Sequence, residues 1–389
     1  MDYNGIAAIV FIILMIVFLY LERHKIKIQK IFFPVLYFVM YKTKIGLKSM
    51  DYAAKKLPTA LKGLSFLGVL IGFLGMILIV IELLKNTVYL LIKPGIAPGI
   101  QPVLPFEAKG VFFVPFIYWI LAIFIIAGVH EFSHGLIARA YKIKIKSSGV
   151  AFLGVIFPLI PAAFVEPEEK QLLKKSLKAQ LSVFAAGPFA NIITAGIVIL
   201  LIIHVAAPIS GVAFDTNGVE VVDIVADGPF AQAGVKEGEI IHKMEHTKID
   251  SVKNFTEALT KYKAGDIVVI KTTESAYAVQ LGSHPQNVTK PYLGISTKQF
   301  REVKPGFAAK YGLFIPKAIE WVSGFLYWLF VLNLGIGLFN LLPLGPIDGG
   351  RMVKVILERI SPKKGYQIWK YMSLFFFVVI LFNIVAGFL

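Results

Sequence analysis

Val111-Phe-Phe-Val-Pro-Phe-Ile-Tyr-Trp-Ile-Leu-Ala-Ile-Phe-Ile-Ile-Ala-Gly-Val-His130-Glu131-Phe132-Ser133-His134-Gly135 is a long apolar run that closes on three ionisable side chains. A run of this length reads as a membrane-spanning helix. On a helix, residues four apart share a face, so the imidazoles of His130 and His134 project together. That spacing lets two ring nitrogens bind one metal ion, with Glu131 beside them as general base. Ionisable groups inside a membrane segment are costly and mark function. Three of them within five residues need a shared partner, and a metal is the simplest one. The plainer alternatives are a chance pattern or a polar cluster that only ties helices together.

Composition fixes the class of the surrounding protein. The chain has 389 residues, of which 57% are hydrophobic and 16% charged, with a mean hydropathy of +0.73. Soluble domains carry about 45–50% apolar and about 25% charged residues, so this is a polytopic membrane protein. Cysteine is absent, which excludes disulfides, thiolate zinc sites and cysteine nucleophiles. Any metal must be held by His, Asp or Glu. The formal net charge of +16 is accounted for by positive cytoplasmic loops, and nucleic acid is not an expected partner. The first apolar run is long enough to span and no A-x-A-like site follows it, so a cleavable signal peptide is not expected.

Six spans are expected, at about 5–21, 64–84, 111–141, 181–206, 318–342 and 367–388. Residues 31–41 form an apolar run too short to span, expected to lie in the interface or to re-enter. Residues 149–165 are apolar but interrupted by Gly154, Pro158 and Pro161. They read as a strand, hairpin or re-entrant loop, which survives at membrane depth only where protein or a wet cavity covers it. From about 211 to 300 charges return and apolar residues come in short alternating runs, the pattern of an inserted soluble α+β domain. The expected domains are 1–110, with two spans and a basic loop; 111–210, the first part of a catalytic core; 211–300, the soluble insertion; and 301–389, the second part of the core.

Loop charge orients the chain. Segments 22–63, 142–178 and 345–370 hold ten, seven and six Lys or Arg, against three in 84–110. Alternating spans puts the three basic segments on one side, expected to be cytoplasmic. Both termini and the 211–300 domain then face outside. The histidine pair falls near the cytoplasmic end of its span, and Asp348 follows the fifth span at the same level.

A catalytic zinc site has three protein ligands and one open position. The histidines supply two. Of the other histidines, none lies at the right depth, whereas Asp348, within Asn340-Leu-Leu-Pro-Leu-Gly-Pro-Ile-Asp-Gly-Gly350, does. Asp348 is either the third ligand or the N-cap of a short helix beginning near Arg351. Asn191 follows a helix-breaking Gly187-Pro188 in an otherwise apolar span. It either donates a hydrogen bond to a developing oxyanion or to substrate, or bonds between helices.

These residues resemble the site-2 proteases, zinc-dependent intramembrane metalloproteases. The resemblance covers His130-Glu131-Phe132-Ser133-His134-Gly135, then the apolar piece ending Ala163-Phe164-Val165-Glu166-Pro167, then Gly187-Pro188-Phe189-Ala190-Asn191, then Asn340-Leu341-Leu342-Pro343 through Asp348-Gly349. Ile347 stands where the family commonly has leucine, and Gly345 where many members have a second proline. The resemblance implies one Zn2+ held by His130, His134 and Asp348, Glu131 as catalytic acid/base, and Asn191 as a substrate- or oxyanion-contacting residue. It also implies that 149–165 offers a strand edge to substrate.

The insertion resembles a PDZ domain of membrane proteases, on Asp227-Gly-Pro-Phe-Ala-Gln-Ala-Gly-Val-Lys-Glu-Gly-Glu-Ile-Ile241. Tyr292-Leu293-Gly294-Ile295 is similar to the element that captures a peptide carboxylate or backbone by strand addition. A steric filter with an empty groove is the other reading. The expected function is hydrolysis of peptide bonds within or near transmembrane segments of membrane-protein substrates, in the lipid bilayer of a prokaryotic cell. A metal transporter or sensor, and an inactive membrane binding protein bearing the PDZ-like domain, are the alternatives. A transporter needs polar residues along a path across the spans, and here the charges gather at one depth.

Overall fold

The computed structural model describes residues 3–32, 36–92, 98–155, 157–284 and 287–389. The segments 31–41, 84–110 and 149–165 therefore include some residues, 33–35, 93–97 and 156, that lie outside the described set. In chain order, helix α1 (Tyr3–Leu21) leads to strands β1 (Ile26–Phe32) and β2 (Leu36–Thr43), helix α2 (Leu47–Lys56) and helix α3 (Pro58–Ile92). Helix α4 (Phe116–Ala140) carries the histidine pair and runs into strands β3 (Ile145–Val155) and β4 (Phe157–Pro167), then helix α5 (Leu177–Leu201). Strands β5 (Phe214–Ile224) and β6 (Ile240–Met244), helix α6 (Val252–Leu259), and strands β7 (Ile267–Thr272), β8 (Ala276–Gln280) and β9 (Ile295–Val303) follow. After them come α7 (Phe314–Phe339), α8 (Asp348–Ile360) and α9 (Gly365–Phe388).

Among the described residues six helices are long and apolar enough to cross a membrane: α1, α3, α4, α5 with its continuation to Ala213, α7 and α9. They coincide with the six expected spans. The described residues form two compact units, one from 3–92, 98–202 and 324–389 and the other from 203–323.

The first unit is organised by two packing devices. One is a four-stranded antiparallel sheet in the order β1-β2-β3-β4. The interrupted run at 149–165 is a hairpin, with Val150 opposite Ala163 and a register shift between Leu153 and Gly154. The described part of the run at 31–41, expected to lie in the interface or to re-enter, is divided between β1 and β2 and joined to β3, with Tyr41 opposite Val150. The reason is burial of alternate side chains. Val39 and Phe152 are buried against Met15 of α1, and the Phe18 ring stands edge-on to Tyr41 at 5.2 Å. Each strand alone lacks partners for its backbone, and the sheet supplies them.

The second device is close helix crossing at small residues. Lipid tails are as apolar as leucine, so helices in a bilayer gain by contact and not by leaving solvent. On α3, Ser65, Gly68, Val69, Gly72, Gly75 and Met76 are buried. A Cβ on Gly68 would lie 2.8 Å from the Phe189 ring of α5, and one on Gly75 would lie 2.7 Å from Leu341. On the opposite side, Leu67, Leu70, Leu74 and Leu78 remain exposed, a surface suited to acyl chains. The result is a core in which α3, α4, α5 and α8 meet through Val69, Ile137, Ala185 and Met352.

The second unit is an α+β domain. Its sheet runs β8-β7-β6-β5-β9, and Val221, Phe230, Ile241, Met244, Phe255, Val268, Ile270 and Leu293 fill its core. Ser251 caps α6 by accepting from the Asn254 N–H at 3.1 Å. Gly234 and Gly238 take φ of 81° and 85°, left-handed values that explain glycine at those turns.

A bulky side chain at the α3–α5 crossing should wedge these helices apart. Gly68→Leu is expected to cost about 1–3 kcal/mol through overpacking and to lower the apparent unfolding midpoint in detergent. A Cβ on Gly63, on the same helix, meets nothing within 4 Å, and Gly63→Leu is expected to leave the midpoint unchanged. Equal midpoints for the two variants would contradict the crossing described.

Candidate metal centre

Helix α4 delivers His130 and His134 from one face, and each is 9% exposed. Their Nε2 atoms lie 3.1 Å apart. The chain returns to this point after α7. Here the Gly349 N–H donates to the Asn340 carbonyl at 2.8 Å and the Arg351 N–H to the Ile347 carbonyl at 3.1 Å. A Cβ on Gly349 or Gly350 would strike the backbone of Leu341 or Leu344, so glycine lets the turn fold back on itself and aim Asp348. The N-cap of α8 is Ile347, and Asp348 lies in the first turn. Its Oδ2 sits 3.1 Å from His130 Nε2 and 3.3 Å from His134 Nε2. These three are the group found among the described residues that could share a metal ion.

The donor set fits a zinc ion. Ligand atoms at 2.0–2.1 Å from a tetrahedral zinc lie about 3.3–3.4 Å from one another, close to the observed triangle. Room for an ion is present as well. Helix α5 passes with Gly187 facing the cluster, and a Cβ there would run into the Nε2 atoms of both histidines. The absent side chain is what leaves the space beside the ligand atoms.

The far sides of the ligands are also held. His134 Nδ1 lies 2.7 Å from the Val183 carbonyl, which accepts when that nitrogen carries the proton. Such an outer hydrogen bond fixes the tautomer and the ring plane of a ligating histidine. Asn191, fully buried on α5, places its side-chain amide nitrogen 3.2 Å from His130 Nδ1. Glu131 is half-buried, and its Oε2 accepts from the Val165 N–H of β4 at 2.9 Å. A cavity of about 310 Å³ opens beside His130, lined by His130, Glu131, Asn191 and Asn340 and by apolar residues that include Ile126, Ala163 and Ile336.

His130, Glu131, His134, Asn191 and Asp348 therefore meet at one point. Three participants were not singled out by residue type. Gly187 carried a signal, since it opens the Gly-Pro-x-x-Asn stretch. Val183 and Val165 act through backbone atoms, which no side-chain pattern marks. Tyr292-Leu293-Gly294-Ile295 lies in the second unit. Leu293 is buried in its core, and Gly294 has φ of 71°. The Leu293 and Gly294 carbonyls accept from Phe230 and Val225 at 3.2 and 2.8 Å, while Ile295 begins β9 opposite Ile224.

Apolar spans around a buried pair of histidines, a carboxylate and a neighbouring glutamate define a membrane protein of the metallopeptidase kind. The chain belongs to peptidase family M50, whose model matches residues 118–383. An uncharacterized protein of Methanocaldococcus jannaschii is 27% identical over 385 residues, 95% of this chain and 90% of that one. Zinc metalloprotease RasP of Shouchella clausii is 23% identical over 242 residues, 52% of this chain and 56% of that protein. The probable protease eep of Enterococcus faecalis is 23% identical over 236 residues, 51% of this chain and 55% of that protein. The chain thus matches about half the length of these two bacterial relatives. Among solved structures, the PDZ domain of an SdrC-like protein from Listeria monocytogenes aligns with 21% of this chain and 87% of that one, at 22% identity and a TM-score of 0.19.

A methyl group at residue 187 should fill the space between the histidines. Gly187→Ala is expected to abolish stoichiometric zinc binding, measured by metal analysis after dialysis, while helix content by circular dichroism stays unchanged. Zinc at one ion per chain in this variant would contradict the placement of the ion.

Proposed function

We propose that the protein is an intramembrane zinc metalloendopeptidase that cleaves peptide bonds within or near transmembrane segments of other membrane proteins. The observation that carries this reading is the buried triangle of His130, His134 and Asp348 with the Glu131 carboxylate beside it. His130, His134 and Asp348 hold the ion. A bound zinc ion supplies Lewis-acid polarisation of a carbonyl and lowers the pKa of water toward about 7.

The chain's own groups do the rest. Glu131 Oε2 is engaged by the Val165 N–H, which leaves Oε1 to take a proton from the attacking water. The same oxygen returns that proton to the leaving amine, since a general base becomes a general acid once loaded. Asn191 lines the cavity and contacts substrate there. A transmembrane helix must unwind before it is cut, and its freed backbone groups then need partners. β4 ends the sheet order β1-β2-β3-β4, and its Ile160, Pro161, Ala162 and Ala163 line the same cavity. An unwound substrate adds there as a further strand. The apolar walls exclude bulk water, so the reaction uses a locally admitted molecule.

The second unit offers a peptide site of the same kind. β9 ends its sheet, and Tyr292-Leu293-Gly294-Ile295 leads into it. A peptide strand added to β9 is the proposed ligand. The basic segments are proposed to face the cytoplasm, which puts the metal centre near that side and the second unit outside.

The test is cleavage of a tagged single-span substrate by purified protein in detergent. Glu131→Gln is expected to lower the rate by at least 10²-fold, the scale of general acid–base catalysis, and a chelator to abolish it. His134→Ala is expected to lose both zinc and cleavage. A Glu131→Gln enzyme as fast as wild type would overturn the mechanism.

A further inference from the structure

We infer that Asn191 is a positioning residue for the metal centre: its side-chain carbonyl accepts a hydrogen bond from Nδ1 of His130 and holds that ring in its ligating orientation. The inference rests on the proposed metal centre and on two separate facts. His130 presents Nε2 to the cluster, 3.1 Å from both His134 Nε2 and Asp348 Oδ2. An imidazole that ligates through Nε2 keeps its proton on Nδ1, so Nδ1 is a donor and needs an acceptor. The group facing it, at 3.2 Å, is the Asn191 amide.

The second fact concerns the other end of that amide. With Nδ2 turned toward His130, the Asn191 Oδ1 is buried and has no hydrogen-bond partner. An orphaned carbonyl oxygen at a fully buried site is costly. Amide oxygen and nitrogen have nearly the same shape, and their placement is decided by the hydrogen bonds around them. A half-turn of the amide replaces a donor facing a donor with an acceptor facing a donor, and moves Nδ2 to the place Oδ1 had. Oδ1 then accepts from the His130 Nδ1–H. His130 thereby gains what the Val183 carbonyl gives His134 at 2.7 Å. Both ligating rings end on an N–H···O=C bond from α5.

The local packing holds Asn191 to this task. It is 0% exposed. Helix α7 crosses at Gly337, where a Cβ would lie 3.2 Å from the Asn191 Cβ and 3.3 Å from the Pro188 carbonyl oxygen. The glycine lets α7 approach closely enough to confine the asparagine against His130. The Gly187-Pro188-x-x-Asn191 stretch thus serves the ion twice, through the room left at Gly187 and through the ring held by Asn191.

Zinc affinity of the full chain in detergent, measured by competition with a chromophoric chelator, tests this without any substrate. Removal of an outer hydrogen bond on a ligand weakens metal binding about 10–100-fold. Asn191→Leu, branched at the same carbon, somewhat larger and without an acceptor, is expected to weaken zinc binding by that factor. Asn191→Ala serves the same comparison if the leucine variant does not fold. Asn191→Asp keeps an acceptor at the same place and is expected to bind within about threefold of wild type. An asparagine that served substrate alone would leave zinc affinity untouched in all three. Wild-type affinity in Asn191→Leu or Asn191→Ala therefore overturns the inference while the metal centre stands. Weakened binding in all three, aspartate included, also overturns it, because a spared acceptor then has no effect. Absence of a zinc ion in wild-type protein overturns the metal centre itself.

Discussion

The constraint on which this structure depends is the cost of holding two imidazoles and two carboxylates among apolar spans. An ionisable group at membrane depth is tolerated only with a partner. Here each group has one or more. The Nε2 atoms of His130 and His134 and Oδ2 of Asp348 converge within 3.3 Å, Glu131 is held by a strand N–H, and His134 leans on a backbone carbonyl. The rest of the first unit can be read as the means of bringing those partners together. A shared cation is a partner that all three convergent atoms can use at once, which is why the cluster reads as a metal centre.

Backbone proximity is the recurring device. Gly187, Gly349 and Gly350 each occupy a place where a Cβ would strike a ligand or another stretch of main chain. The sheet works in the same way. β4 is paired with β3 on one side, and its Val165 N–H is spent on Glu131. The strand proposed to receive substrate thus also fixes the proposed base. On that proposal a single element positions both substrate and base, and small movements of β4 would change the two together.

Much of the site was legible in the sequence. The spacing of His130 and His134 needs only the period of a helix. Asp348 was reached by counting spans and charged segments, which set its depth. The glycine, prolines and β-branched residues of 149–165 marked it as a strand, hairpin or re-entrant loop, and the antiparallel pairing decides among them. Other features were hidden. Ile26-Lys27-Ile28-Gln29 alternates as a strand does, but so short a stretch does not say what it pairs with. β1 pairs with β2, and β2 in turn pairs with β3, more than a hundred residues away; no local period reports that second partner. The contact of Asn191 with His130 spans 61 residues and is equally invisible. Val183 and Val165 contribute only main-chain atoms, which every residue has.

Zinc K-edge absorption spectroscopy of the purified chain probes the metal centre most directly. The account predicts one zinc ion with nitrogen and oxygen neighbours at about 2.0–2.2 Å and the outer-shell scattering of two imidazole rings, and no bound zinc, hence no such spectrum, in His134→Ala. A zinc spectrum without imidazole scattering, or one unchanged by loss of His134, would contradict it.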